Sequence, residues 1–313
     1  MENLFLIELN RILNSNQIKV KERMENHTSL HIGGEADYVV FPSSPDEIRE
    51  VILLCGRTVL PYYVMGNGSN LLVQDCGFRG LVIKLAGNFS KVSVNEDGTV
   101  FAESGVLLSK LANIIAQHSL TGFEFASGIP GTLGGAVTMN AGAYDGEMKQ
   151  YLVWAKVMDE TGEISVLNNK QLELGYRSSI LQRKKLVVLE AALKFTKGDK
   201  EQISSRMKEL NLQRSKKQPL DQYSAGSTFK RPAGYYAGKL INDSGLKGYQ
   251  VGDAAVSEKH CGFIINKGNA SAEDFKCVMQ DVIRIVEEKY GVRLEPEVKC
   301  LEEEKPDCRE EDL

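Results

Sequence analysis

Two glycine-rich stretches carry the residue types best suited to holding a phosphorylated ligand. The longer covers residues 127–144 and reads SGIPGTLGGAVTMNAGAY, and the shorter covers residues 66–70 and reads GNGSN. Glycine permits positive φ angles and lets a ligand approach main-chain N–H groups closely, as phosphate binding requires. Turn chemistry alone also selects glycine and proline, so tight turns in a sheet protein are the alternative for either stretch by itself. Two such loops far apart in sequence indicate that both bind one large anionic ligand.

Neither loop matches the common nucleotide-binding fingerprints. Leu71 stands where a dinucleotide-binding turn needs its third glycine, and the residues after Asn70 are typical of a strand, not of a helix. Residues 128–134 lack the Gly-Lys-Ser/Thr ending of a P-loop, so no lysine is placed to reach terminal phosphates. We therefore exclude a Rossmann turn and do not expect hydrolysis of a nucleoside triphosphate.

Five motifs occur in an order that resembles a known family. They are GNGSNLLV at residues 66–73, GIPG at 128–131 followed by NAGA at 140–143, GYRSS at 175–179, AGSTFK at 225–230 and LEPEV at 294–298. Together they resemble the UDP-N-acetylenolpyruvoylglucosamine reductase (MurB) family of peptidoglycan synthesis, over roughly residues 26–300. Each motif alone is weakly specific, whereas five in register are highly specific.

The resemblance implies an α+β flavoprotein. Its FAD-binding domain would be of the vanillyl-alcohol oxidase or PCMH type, with two α+β subdomains, and a smaller α+β substrate-binding domain would follow. NADPH would reduce FAD, and the reduced flavin would pass hydride to the enolpyruvyl ether of UDP-N-acetylglucosamine-enolpyruvate, giving UDP-N-acetylmuramate. We expect residues 1–200 to be the FAD-binding domain, split near residue 87, and residues 201–301 to be the substrate-binding domain, with a last strand carrying Glu297. Residues 302–313 are expected to be a frayed acidic tail.

Three residues are candidates for catalysis under this resemblance. Hydride addition at the vinyl carbon pushes negative charge onto the attached carboxylate, so the site needs a cation there and an acid for the other carbon. Arg177 suits the cation role because its planar guanidinium can clamp a carboxylate. Ser227 corresponds to the family's proton donor, and Glu297 would orient the intermediate or relay a proton. By residue type alone, these three would be a surface or ion-paired arginine, a turn serine and a surface carboxylate.

The remaining site assignments are binding residues. Substrate contacts are assigned to Tyr176, Lys230 and Arg231, although Arg231 stands where we expect asparagine in many relatives. The chain has no obvious extra tyrosine-bearing loop between Phe195 and Asp221, so it resembles the shorter type II branch of the family. Cofactor contacts are assigned to residues of the two glycine-rich stretches, namely Gly66, Asn67, Gly68, Ser69, Asn70, Ser127, Gly128, Ile129, Gly131, Thr132, Gly134 and Asn140.

Two alternative functions stay open on the sequence alone. A flavin oxidase of the same superfamily, using oxygen in place of the sugar nucleotide, would explain both glycine-rich loops but not the motifs around Ser227 and Glu297. A non-catalytic flavin- or nucleotide-binding module that regulates a partner would not need Arg177, Ser227 and Glu297 together. A reaction that consumes both NADPH and the sugar nucleotide separates these alternatives.

The composition limits the partners and the location. A content of 42% hydrophobic and 26% charged residues is typical of a globular protein, and 313 residues are enough for more than one core. The net charge of −4 gives no indication of a basic face for nucleic acid. No apolar stretch has bilayer-spanning length and no signal peptide is evident, so we expect a cytoplasmic protein with no membrane partner, as a monomer. The six cysteines form no C-x-x-C pair and no carboxylate completes a set with His27 and His31, so we expect reduced thiols and no metal site.

Periodicity and cap signals predict the elements that position these residues. Helices are predicted within residues 1–24 and over 44–57, 109–117, 201–214, 235–244 and 271–290. Strands are predicted over 37–41, 61–65, 71–73, 80–85, 91–95, 100–104, 151–159, 164–167, 186–195, 292–300 and, as one or two strands, 254–266. Residues 127–144 are predicted to form a loop.

Overall fold

The computed structural model describes residues 4–302, and it divides into two compact units. The first unit takes in the residues up to Val20, Tyr38–Ser69 and Leu81–Asp221, and the second takes in Lys21–Asp37, Asn70–Gly80 and the residues from Gln222 onward. The helices are α1 (Leu4–Ile12), α2 (Pro45–Thr58), α3 (Leu108–Gln117), α4 (Leu133–Thr138), α5 (Ile180–Arg183), α6 (Lys200–Lys217), α7 (Ala237–Asp243) and α8 (Ala272–Tyr290).

The strands are short, and most run antiparallel to their neighbours. They are β1 (Ile18–Arg23), β2 (Glu35–Val40), β3 (Tyr62–Met65), β4 (Leu71–Val73), β5 (Phe78–Lys84), β6 (Val92–Val94), β7 (Thr99–Glu103), β8 (Leu120–Thr121), β9 (Gly142–Ala143), β10 (Gly146–Glu147), β11 (Leu152–Met158), β12 (Ile164–Asn168), β13 (Val187–Lys194), β14 (Thr196–Lys197), β15 (Tyr223–Ser224), β16 (Gln250–Val251), β17 (Ala254–Val256), β18 (Ile264–Asn266) and β19 (Lys299–Leu301).

The first unit is built on an antiparallel sheet of order β12-β11-β13-β7-β6. Ala191 of β13 lies opposite both Ala155 of β11 and Ala102 of β7, so the centre of the sheet carries small buried side chains. The apolar stripe of α3 and the residues of α4 pack in the same core. A second core of this unit joins α1, α2, β3 and the end of β5, where β3 and β5 run parallel.

The second unit is built on an antiparallel sheet of order β15-β18-β17-β16 covered by α8. Four residues at helical spacing on α8, Phe275, Val278, Val282 and Val286, are fully buried in its core. The helix begins with a capping box at Ser271 and ends at Gly291 with a φ of 64°. Strand β4 pairs in parallel with β19.

Most predicted elements are confirmed, with three corrections. The N-terminal helix ends at Ile12, and residues 18–23 form β1, whose first four residues alternate apolar and charged side chains at the strand period. The predicted loop at 127–144 contains α4, whose sequence LGGAVT has low helix propensity and is held by burial of Leu133, Ala136 and Val137. The predicted strand at 292–300 is confined to 299–301, so Glu297 lies outside it.

The division of the chain also differs from the predicted boundary after residue 200. Helix α6 belongs to the first unit, which extends to Asp221. Ile203, Met207 and Leu210 are its buried residues, and the first two lie in the main core of that unit. The polar composition of α6 suggested a linker, but three apolar residues at helical spacing are enough to pack one face.

Several expectations concern features outside this scaffold. The predicted acidic tail lies outside the described residues, apart from Glu302. Burial raises the pKa of the Cys55 thiol to about 12, so this thiol is unreactive at neutral pH. His27 contacts Glu22 at 2.9 Å, and residues 4–302 contain no cluster of three side chains suited to a metal ion. None of the helices in this range is both long and apolar enough to cross a bilayer.

Candidate functional site

The two glycine-rich loops meet in the first unit. The side-chain amide of Asn67 donates a hydrogen bond of 2.8 Å to the carbonyl of Pro130. A Cβ atom added at Gly66 would lie 2.1 Å from Oγ1 of Thr132, and one added at Gly131 would lie 3.6 Å from Oγ of Ser69. Thr132 is only 2% exposed, so it has little room to move. Glycine is therefore required at position 66 by the contact between the loops.

Several main-chain N–H groups of these loops are unused within the protein. Those of Asn67, Ser69, Gly128 and Gly131 make no hydrogen bond to another residue of the range 4–302. Main-chain donors are normally paired, with protein, water or ligand. Grouped donors on bare backbone are suited to an anionic oxygen ligand.

Not every glycine of the longer stretch serves a ligand. The N–H groups of Leu133 and Gly134 donate to the carbonyls of Val106 and Ser104, at 2.9 and 2.8 Å. A Cβ atom added at Gly134 would lie 2.8 Å from Cβ of Ser104. Gly134 is thus explained by the close packing of α4 against the segment after β7.

Ser127 and Gly128 face helix α6. The hydroxyl of Ser127 lies 2.8 Å from the carbonyl of Glu124 and 3.3 Å from Oδ1 of Asn211. A Cβ atom added at Gly128 would lie 2.6 Å from Oδ1 of Asn211 and 3.1 Å from Cδ of Arg214. The last part of α6 therefore forms one wall beside this loop, which the sequence did not indicate.

Arg177 occupies a strained turn of the first unit. Its φ of 53° lies in the left-handed region, which costs a non-glycine residue about 1 kcal/mol or more. Gly175 and Ser178 bond to each other across it, and Nη2 of Arg177 donates to the carbonyl of Gly142 at 3.4 Å. The guanidinium lies 5.1 Å from the ring of Tyr176, which is 54% exposed. Strain of this kind is typical of functional positions.

Residues around the end of α4 hold this turn in place. The hydroxyl of Ser179 and the amide of Gln182 both donate to the carbonyl of Thr138, at 2.7 and 3.0 Å. The side-chain amide nitrogen of Asn140 donates to Glu147 and to the carbonyl of Gly175 at 3.0 and 3.1 Å. Asn140 thus positions the Arg177 turn, and its contact with a cofactor stays a prediction.

In the second unit, Thr228 links the segments that carry Ser227 and Glu297. Its N–H donates to the carbonyl of Gly262, and its carbonyl accepts the N–H of Glu297, both at 2.8 Å. Its buried hydroxyl accepts the N–H of Ile264 at 3.0 Å. Ser227 is half-buried, and its hydroxyl lies 3.4 Å from the carbonyl of Phe229. The serine and the glutamate are therefore held on adjoining backbone.

The segment before β19 is fixed by further main-chain bonds. The N–H of Lys230 donates to the carbonyl of Glu295 at 2.8 Å, and the side-chain amide of Asn70 donates to the carbonyl of Glu297 at 3.1 Å. Pro296 lacks an N–H and makes only an isolated bridge with Phe229, which explains why no strand forms there. Asn70 lies in the second unit, unlike residues 66–69.

Two of the predicted substrate residues, Lys230 and Arg231, lie near the surface of the second unit. The ammonium of Lys230 lies 3.1 Å from a carboxylate oxygen of Glu295. The guanidinium of Arg231 stacks 4.0 Å from the ring centre of Tyr236. Arg231 and Tyr236 are both exposed. This arginine–tyrosine pair presents a planar cation to solvent.

His260 is a neighbour of Ser227 that sequence reasoning missed. Its Nδ1 accepts the N–H of Gly262 at 3.1 Å. A Cβ atom added at Gly262 would lie 3.0 Å from Cε1 of His260 and 3.5 Å from Oγ of Ser227. Burial lowers the pKa of His260. The imidazole is thus held neutral, with Nδ1 as acceptor and Nε2 carrying the hydrogen.

We predict that His260 makes stability depend on pH. The pKa of His260 is lower in the folded than in the unfolded chain. The free energy of unfolding is therefore highest above a pH of about 6.5 and decreases as the pH is lowered from there. His260→Asn keeps an acceptor for Gly262 and should flatten this dependence, measured as melting temperature between about pH 7 and 5. The control is His118→Asn, at an exposed position. Equal pH slopes in wild type and His260→Asn would contradict the prediction.

Comparison with known proteins first defines the class. Residues 36–168 match the family model of an FAD-binding domain, and residues 218–301 match that of the UDP-N-acetylenolpyruvoylglucosamine reductase C-terminal domain. A solved glucose dehydrogenase, Phl p 4.0202, is 14% identical with a TM-score of 0.51, over 93% of this chain and 64% of that chain, and shares the fold alone. The protein is therefore a flavoprotein built on an FAD-binding fold.

The full-length comparisons define the family. A protein of Clostridium tetani named UDP-N-acetylenolpyruvoylglucosamine reductase is 52% identical over 96% of this chain and 97% of its own length. A protein of the same name from Caldanaerobacter subterraneus is 49% identical over 97% of this chain and 100% of its own length. The crystal structure of MurB from Thermus caldophilus has a TM-score of 0.76 at 37% identity, covering 90% of this chain and 99% of that one. The chain belongs to the UDP-N-acetylenolpyruvoylglucosamine reductase family.

This membership confirms the predicted family, the α+β fold with its FAD-binding domain, the FAD cofactor and the enzyme class. The individual site residues stay predictions, and the structure contributes their surroundings. Gln182, Asn211 and Arg214 contact or face residues of the candidate site that are distant in sequence, so no local motif marked them.

Proposed function

We propose that the protein reduces the enolpyruvyl ether of UDP-N-acetylglucosamine-enolpyruvate with electrons from NADPH, giving the peptidoglycan precursor UDP-N-acetylmuramate. The observation that carries this proposal is family membership over nearly the whole chain, together with an intact Arg177, Ser227 and Glu297. FAD, when bound, supplies the hydride for the terminal vinyl carbon of the substrate. We place this activity in the cytoplasm and expect the protein to act as a monomer.

The two glycine-rich loops fit a dinucleotide such as FAD. Their unused N–H groups at Asn67, Ser69, Gly128 and Gly131 are donors suited to diphosphate oxygens. The absence of a side chain at Gly66 lets the two donor-bearing loops lie in direct contact. Residues 66–69 and 127–132 would therefore hold the cofactor mainly through main-chain atoms.

Arg177 would bind the substrate carboxylate. The carboxylate is already an anion in the ground state, and further negative charge develops on it when hydride is added to the conjugated vinyl carbon. A fixed guanidinium therefore stabilises the intermediate more than the ground state. The turn around Arg177 is anchored to α4 through Ser179 and Gln182, so the cation is preorganised. A lysine would keep the charge but lose the planar fork.

Ser227 would donate the proton that completes the reduction. A serine hydroxyl is a weak acid, but a carbanion next to a carboxylate is a strong enough base to accept from it. Because its hydroxyl makes one long contact of 3.4 Å to the carbonyl of Phe229, it is able to turn toward a substrate. Glu297, joined to the same backbone through Thr228, would orient the intermediate or return the proton.

The sugar nucleotide would contact Tyr176, Lys230 and Arg231. Lys230 pairs with Glu295, which is exposed, and exposed pairs contribute little free energy, so a diphosphate can replace that partner. The exposed ring of Tyr176 and the stacked guanidinium of Arg231 provide planar surfaces. FAD would be held mainly by the domain predicted at residues 1–200, and the sugar nucleotide mainly by the domain predicted at 201–301.

The experiment is anaerobic absorption spectroscopy of the purified protein. NADPH should bleach the flavin band, and the enolpyruvyl sugar nucleotide should restore it without oxygen. Restoration only after air is admitted would indicate a flavin oxidase. A yellow protein that NADPH does not bleach would indicate a non-catalytic module. Either result would contradict the proposed function.

A further inference from the structure

Arg214 carries a half-buried positive charge beside the longer glycine-rich loop. It lies in the last turn of α6, and its Cδ would be 3.1 Å from a Cβ atom at Gly128. Its Nε is buried and has no hydrogen-bond partner. Within residues 4–302, no carboxylate lies within ion-pair distance of this guanidinium. Among the described residues, no anionic side chain therefore compensates this charge.

This arrangement differs from that of other arginines in the same unit. Arg183 pairs with Glu173, and Arg206, on α6 two turns earlier, pairs with Glu209 at 2.7 Å. Burial also lowers the pKa of Arg214, since water is removed from the cation. Removing an unpaired charge from water is unfavourable, so such a group is normally completed by an anion.

A second orphaned atom lies one turn further on. The side-chain oxygen of Gln218 is buried without a donor. Asn211 and Arg214 share one face of α6 by their spacing and lie beside Gly128, and Gln218 is the residue that follows the last turn of the helix. Within residues 4–302, this end of α6 thus carries one unpaired donor and one unpaired acceptor, and the Gly128 and Gly131 N–H groups of the neighbouring loop are also unused.

We propose that Arg214 is a cofactor-binding residue, whose guanidinium donates to an anionic oxygen of FAD. This inference rests on the proposed placement of FAD at the two glycine-rich loops. Two parts of FAD have the required chemistry, the diphosphate and the N1–C2 carbonyl region of the flavin, which gains negative charge on reduction. In both cases the anion compensates the half-buried cation, and a charge-assisted hydrogen bond forms.

A purely structural role predicts a different outcome from a ligand role. If Arg214 only packs against Gly128, its replacement should destabilise the cofactor-free protein. If Arg214 instead binds an anion of the cofactor, its charge has no partner in the cofactor-free protein. Arg214→Gln removes that charge and should leave the cofactor-free protein at least as stable as wild type. Stability without FAD and affinity for FAD then respond in opposite directions.

The test compares full-length wild type, Arg214→Gln and Arg214→Lys after removal of FAD, with Arg206→Gln as the α6 control. Dissociation constants for FAD and riboflavin are measured by flavin fluorescence, thermal unfolding is followed without flavin, and midpoint potentials are measured with FAD. Loss of a hydrogen bond to a charged group predicts about tenfold to hundredfold weaker binding of the contacted group by Arg214→Gln. Arg214→Lys should recover part of this, and Arg206→Gln should match wild type.

The measurements also identify the contacted group. If Arg214 contacts the diphosphate, Arg214→Gln weakens FAD binding but leaves riboflavin binding and the midpoint potential unchanged. If Arg214 contacts the flavin, Arg214→Gln makes the midpoint potential more negative, by about 30 mV for each tenfold loss in relative affinity for the reduced form. The proposal is overturned if Arg214→Gln changes neither the affinity for FAD nor the midpoint potential. A lower stability or a higher KM for the sugar nucleotide in that variant would not rescue the proposal. Failure of wild type to bind FAD would instead overturn the proposed cofactor site.

Discussion

Replacing Ser227 by alanine is expected to leave the reduction of bound FAD by NADPH within about twofold of wild type, while reoxidation by the sugar nucleotide slows by about 10²–10⁴-fold. The physical reason is that only the second half-reaction needs a proton at carbon. Alanine removes the donor and keeps the volume nearly constant. Anaerobic stopped-flow absorbance measures both half-reactions separately.

The control for this prediction is Ser244→Ala in the same unit. Ser244 also bonds to a nearby carbonyl through its hydroxyl, that of Leu240 at 2.8 Å, and has no assigned role. Both of its half-reactions should match wild type. If Ser227→Ala reoxidises at the wild-type rate, Ser227 is not the proton donor. Slowing of both half-reactions together would point to a disturbed cofactor position instead.

Replacing Gly66 by valine is expected to yield protein with less than about a tenth of the wild-type flavin content. The new Cβ would overlap Oγ1 of the buried Thr132, at 2.1 Å, and the two further methyl groups add to the crowding. Overpacking of this kind costs about 1–3 kcal/mol, which corresponds to roughly 5- to 150-fold in affinity if it falls on the bound state. The ratio of flavin to protein absorbance measures the content.

Gly56→Ala is the matched control for the glycine substitution. A Cβ atom at this helical position meets nothing within 4 Å, so flavin content should be unchanged. Gly128→Val should also lower FAD content, by displacing Asn211 and Arg214 of α6. A fully yellow Gly66→Val protein would contradict the contact between the two loops.

The elements with strong local signals were predictable from sequence. Helix α8 has a capping box at Ser271, an apolar stripe and a terminal glycine, and all three agree with the structure. Hairpin β6–β7 turns at Gly98, which has a φ of 83°. The short helix α4 was missed because its two adjacent glycines lower helix propensity, and only tertiary burial stabilises it.

The motifs located the candidate site, but not the residues that support it. The GYRSS motif identified Arg177, whereas Asn140, Gln182 and the left-handed φ became visible only in three dimensions. Arg214 begins the sequence RSKK at residues 214–217, and nothing in that sequence distinguishes it from an exposed arginine. Its burial depends on packing of α6 against Gly128, a contact that no periodicity encodes.

The most direct test of the proposed reaction is the mass of the sugar nucleotide after anaerobic turnover with NADPH. We predict that the product contains two hydrogens more than the enolpyruvyl substrate, with one NADPH oxidised for each product formed. A sugar nucleotide of unchanged mass, with NADPH consumed only when oxygen is present and hydrogen peroxide formed, would contradict the account.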